Sequence, residues 1–99
     1  MLAIKTVESL WNFIAYVRGY APDLFPKEDF LTDEQQMTLD RAFERLHEGV
    51  SIAYPEASFE EKRQELRAIL DRSYVAYRKG EGIAAAHLLN EFESLIFKQ

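Results

Sequence analysis

The stretch SFEEKRQELRAILDRSYVAYRKGEGIAAAHLLNEFESLIF, Ser58 to Phe97, decides the fold. It reads as two helices joined by the turn Lys79-Gly80-Glu81-Gly82. Ser58-Phe59-Glu60-Glu61 has the S-x-x-E spacing of a capping box, in which the serine hydroxyl accepts from a first-turn amide and the glutamate reaches back. Pro55 keeps the residue before it out of helical conformation, so the helix is predicted to start at Ser58. Phe59, Leu66, Ile69, Leu70, Ser73, Tyr74 and Tyr77 then recur at the helical period, with Glu61, Gln64, Glu65, Asp71 and Arg72 largely on the other side. Gly80 can take the left-handed conformation that ends such a helix. The second helix collects Ala84, Ala85, Leu88, Leu89, Phe92, Leu95 and Ile96 on one face, with His87, Asn90, Glu93 and Ser94 opposite or at its edge. The alanines at 84, 85 and 86 permit close approach of the two backbones.

Upstream, the chain supplies two more apolar faces to cover this hairpin. A first helix is predicted over Thr6 to Arg18, with Val7, Leu10, Phe13, Ile14 and Val17 as its stripe, Trp11 at the core or its edge, and Gly19 as its stop. Thr32-Asp33-Glu34-Gln35 fits the T-x-x-Q capping box and predicts the start of another helix. Leu39, Ala42, Phe43, Leu46 and Val50 form its stripe; Gly49 reads as its C-terminal residue and Met37 as exposed. Ile52 and Tyr54 are expected to fold over the bundle end. Four amphipathic helices predict an all-α, single-domain antiparallel four-helix bundle spanning residues 1–99, with a long aromatic loop between helices one and two.

That loop, Tyr20 to Leu31, is the irregular part. Pro22 and Pro26 forbid a continuous helix through it. Tyr20, Leu24, Phe25, Phe30 and Leu31 make it too apolar for a flexible linker, and Asp23, Glu28 and Asp29 make it acidic. Long ordered loops in small domains are packed lids or functional surfaces. Both readings stand: a lid on one end of the bundle, or a partner-binding surface formed by Tyr20, Asp23, Phe25, Glu28, Asp29 and Phe30.

The totals narrow the function. The chain has 99 residues, of which 47% are hydrophobic and 29% charged, the values of a folded domain. It contains no cysteine, which excludes disulfides and thiolate chemistry and suits a reducing cytoplasm. A net charge of −5 disfavours nucleic acid and favours a basic protein partner. The arginines at 63, 67, 72 and 78 interleave with Glu60, Glu61, Glu65 and Asp71, a solvated helix flank. No signal peptide or membrane-span pattern is visible, so a cytoplasmic location is expected.

The search for chemistry finds no strong constellation. Glu44-Arg45-Leu46-His47 is an E-x-x-H, the unit of carboxylate-bridged metal sites, but Ala84 stands where a second copy before His87 would need a carboxylate. His87 and Glu91 have the spacing of a surface pair. Ser73, Tyr74 and Tyr77 place polar groups in an apolar stripe. Either Ser73 bonds back to a carbonyl of its own helix with the tyrosine hydroxyls at the rim, or the three line a polar notch. No nucleophile motif or phosphate loop is present. The expectation is a non-enzymatic interaction module that needs no cofactor or metal and binds and masks or regulates a partner protein. In size, acidity and helix content it resembles toxin-neutralising immunity proteins and small secretion chaperones, without a residue motif of either. The alternative is a self-associating domain that uses exposed apolar surface on the first helix or near Val75 and Ile83 to form a homodimer; a third reading, ranked below both, is a bundle enzyme or metal-binding protein using Glu44, His47, His87 and Glu91.

Overall fold

The structure, a computed structural model, describes residues 4–97. Four helices account for most of it: α1 (Val7–Tyr20), α2 (Leu39–Ala53), α3 (Glu60–Arg78) and α4 (Gly82–Phe97). Each packs on the next, and α1 closes the ring against α4. Neighbours run antiparallel, as pairs read along the chain show. Leu10 meets Gly49 while Tyr16 shares a cavity with Arg41. Arg67 reaches Ser51 while Tyr74 reaches Asp40. Trp11 lies on Phe97 while Arg18 bonds Asn90. The architecture is the expected all-α four-helix bundle.

The apolar stripes meet at its centre. Leu10, Ile14 and Val17 of α1, Leu46 and Val50 of α2, Leu66 and Leu70 of α3, and Leu89 and Phe92 of α4 are fully buried. Each such side chain contributes about 1.5–3 kcal/mol on removal from water. Other expected core positions lie further out. Val7 and Phe59 are exposed, and Trp11 is 53% exposed, with its ring 5.8 Å from that of Phe97. The core or core-edge position expected of Trp11 is therefore replaced by a surface aromatic contact.

Helix ends depart from the sequence reading in instructive ways. α1 starts at Val7, one residue after the expected start, and Thr6 is its N-cap: the Thr6 hydroxyl accepts from the Ser9 amide at 3.1 Å and Ser9 Oγ accepts from the Thr6 amide at 2.9 Å. It runs through Gly19 to Tyr20 and stops because Pro22 forces Ala21 into extended conformation (ψ 149°). The Thr32–Gln35 box forms, with the Thr32 amide donating to Gln35 Oε1 at 3.0 Å, but it closes only a short 3-10 turn. Gln36 is extended, and α2 begins at Leu39, with the Thr38 hydroxyl accepting from the Arg41 amide. Ser58 does not cap α3; it lies inside a 3-10 turn, Ala57–Phe59, that runs into the helix. The connection is held by Arg63, whose guanidinium donates to the carbonyls of Tyr54 (2.7 Å) and Glu56 (2.6 Å) and to Glu60 (2.8 Å).

Two glycines matter to the packing. Gly80 has φ +81°, and the Glu81 amide donates to the Ala76 carbonyl while the Gly80 amide donates to that of Tyr77. These are the two bonds of a Schellman motif, which turns the chain from α3 into α4. Gly49 does not end α2. It is buried within it, where a Cβ would lie 2.5 Å from Leu10 Cδ1. Glycine there lets α1 and α2 cross closely. Met37, read as exposed, is partly buried against the core.

Candidate functional site

The loop between α1 and α2 is ordered by local bonds. Leu24 amide donates to Tyr20 carbonyl at 2.8 Å and Leu31 amide to Glu28 carbonyl at 3.1 Å, so the segment is two turns in series. The side chain of Gln36 grips the second. Its Nε2 donates to the carbonyls of Glu28 and Leu31, both at 2.9 Å, and its Oε1 accepts from the Glu28 amide at 2.9 Å. Gln36 is itself buried, and Arg41 donates to its carbonyl at 3.1 Å. Three bonds from one amide leave the Glu28–Leu31 turn little freedom. No motif marks Gln36 in the sequence, because its partners are backbone groups brought to it by the loop.

The six residues singled out in this segment separate into distinct roles. Phe25 is half-buried and lies 5.6 Å, centroid to centroid, from Tyr16 of α1. Tyr20 meets the same ring edge-on at 5.3 Å and keeps part of its surface in solvent. Glu28 gives its backbone to Gln36 and lines, with Tyr16, Leu31 and Arg41, a cavity of about 240 Å3. Burial, then the Glu28 charge, then Tyr20 push the Tyr16 hydroxyl above its usual pKa. Asp23, Asp29 and Phe30 are exposed. Leu24 and Phe30 each stand 70% exposed. The segment is therefore a lid through Phe25 and a displayed surface through Leu24 and Phe30. Leu24 was not among the sequence candidates; its position between Pro22 and Pro26 was the available hint.

The other sequence candidates are drawn into packing. Ser73 is fully buried, and its hydroxyl donates to the Ala85 carbonyl of α4 at 2.9 Å, across the hairpin rather than back along its own helix. The Tyr74 hydroxyl donates to Asp40 and accepts from Arg78 at 2.9 Å, joining α3 to the first turn of α2. The Tyr77 hydroxyl is buried with no hydrogen-bond partner among the described residues, and burial raises its pKa against a lowering by Arg18. The three thus diverge and line no common notch. His47 pairs with Asp71 of α3 at 3.2 Å, in a shallow groove that also holds Glu44 and Tyr74. Among the described residues no group of three or more His, Asp or Glu side chains could hold a metal ion. No described helix is long and apolar enough to cross a membrane. Compared with known proteins, the chain matches no family model, no curated protein and no solved structure.

Proposed function

We propose that the chain is a protein-interaction module that binds and masks or regulates a basic partner through the Tyr20–Phe30 loop. The observation that carries this is the pair Leu24 and Phe30, each 70% exposed, Phe30 on the turn pinned by Gln36 and Leu24 on the turn closed by its own amide onto the Tyr20 carbonyl. A flexible loop hides or scatters its apolar side chains; a pinned one holds them ready and avoids much of the ordering cost of binding. Large apolar side chains in such a position suit the centre of an interface. Asp23 and Asp29 flank them and favour encounter with a positively charged surface. Phe25 and Tyr16 support the loop from below. The catalytic reading is weaker: a His47–Asp71 pair would need a nucleophile beside it, and Ser73 is fully buried with its hydroxyl donated to a backbone carbonyl.

The test is affinity capture from native lysate with the intact protein and the Leu24→Asp/Phe30→Asp variant in parallel. A single stoichiometric partner is expected with the intact protein, lost with the variant, and bound more weakly as salt rises. Because both positions are exposed, the variant keeps its helical circular dichroism and melting temperature. A partner held equally by the folded variant rejects the loop as the binding site.

A further inference from the structure

The outer side of the α3–α4 hairpin carries a second, independent surface. Val75, Ala76, Ala84 and Leu88 form the floor of an open groove of about 420 Å3, and Asp71, Arg72, Lys79 and Glu81 form its rim. Val75 is 47% exposed there although the helix could have carried a polar side chain. Ile83, 79% exposed, is not among the lining residues. The apolar floor exists because small residues bring the two helices together: Ala76 and Ala85 are buried between them, the Ser73 hydroxyl bonds straight to the Ala85 carbonyl, and Ala84, expected at the contact, is exposed on the groove side.

We infer that this groove is a self-association surface, on which a second copy of the chain packs α3–α4 against α3–α4 about a two-fold axis near Val75. The charge arrangement selects that occupant. The chain carries −5 overall, so two copies repel each other across most of their surface. The rim, with two acidic and two basic side chains, is neutral. Its charges are also ordered: Asp71 and Arg72 stand at one end, Lys79 and Glu81 at the other, about 12 Å further along α3 at 1.5 Å per residue. A two-fold axis crossing the helices at Val75 brings the first end of one copy onto the second end of the other. Arg72 then faces Glu81 of the second copy and Asp71 faces its Lys79, each pair formed twice, as an isologous contact requires. A basic partner of the kind proposed for the loop gains nothing from a neutral rim. Asp71 also pairs with His47 on its other side, which leaves Arg72–Glu81 as the pair to test.

The experiment is sedimentation velocity on the intact protein from about 10 μM to about 1 mM, a range that covers weak dimers. A concentration-dependent shift to twice the monomer mass is expected. Val75→Asp puts charge at the centre of the contact and is expected to weaken the dimer about tenfold or more. Arg72→Glu sets like charges opposite each other and weakens it similarly, whereas Arg72→Glu/Glu81→Arg restores it. Leu24→Asp/Phe30→Asp leaves the dimer unchanged, which separates this surface from the loop. A chain that stays monomeric to about 1 mM overturns the inference. So does a dimer indifferent to Val75→Asp in a folded protein, or a double charge swap that fails to restore association.

Discussion

Single atoms decide how closely these helices approach. Gly49 is the clearest case, since a methyl group there would overlap the end of Leu10, itself fully buried in the core. Alanine would gain about 1 kcal/mol in helix propensity over glycine. Overpacking a filled core costs about 1–3 kcal/mol, and Leu10 has little room to yield. Gly49→Ala is therefore expected to lower stability by about 1 kcal/mol net, read as a fall in the urea midpoint at unchanged slope. Ser73 is a second case. Removing its hydroxyl deletes one buried bond to a carbonyl of the facing helix, and Ser73→Ala should cost about 1 kcal/mol in the same assay. Neither role was legible in the sequence. Gly49 stood where a helix stop was expected, and a stop and a close crossing both call for glycine. A serine in an apolar stripe is consistent with a bond to its own helix or to the next one, and only the packing distinguishes them.

At the scale of elements, the stripes were legible and the boundaries less so. Periodicity is a local property repeated many times, so the buried faces of α1, α2, α3 and α4 follow from spacing alone. A boundary hangs on one or two residues. Thr32 and Thr38 both suit an N-cap, and the choice of Thr38 for α2 is tied to Gln36, which leaves the helix to hold the loop. The candidate surface was legible as a segment, from its prolines, aromatics and acids. Which of its aromatics faced inward was not, because that depends on Tyr16 across the loop. The prediction at this scale concerns the grip. Gln36→Ala removes all three side-chain bonds to the Glu28–Leu31 turn, and net contributions near 1 kcal/mol per bond put the local loss at about 2–3 kcal/mol. Hydrogen exchange at the Glu28 and Leu31 amides should rise by about tenfold or more, while amides in the middle of α3 and α4 keep their protection. Equal loss of protection throughout would mean that the loop folds as one unit with the bundle.

For the whole molecule the informative variable is pH on the alkaline side. The Tyr77 hydroxyl is held inside the bundle without a hydrogen-bond partner among the described residues, and burial outweighs the nearby Arg18 charge in raising its pKa above the ordinary 10.0. Tyr16 is shifted the same way, by burial first and by Glu28 and Tyr20 after it. In the unfolded chain both groups ionise near their ordinary value, and in the folded chain they do so later. Well below pH 10 both states hold the protons equally, and this contribution to stability is fully present. As pH rises from there towards the raised folded values, the unfolded state binds fewer protons than the native one, so stability falls. The urea midpoint should accordingly decline between pH 9 and pH 11, about the ordinary 10.0, and Tyr77→Phe should flatten that decline. The same substitution removes a buried hydroxyl without a partner, so at neutral pH it should leave the protein equally stable or about 1 kcal/mol more so. A variant that is destabilised at neutral pH and keeps the full alkaline decline would show that the hydroxyl is satisfied in solution and that the decline belongs to other groups.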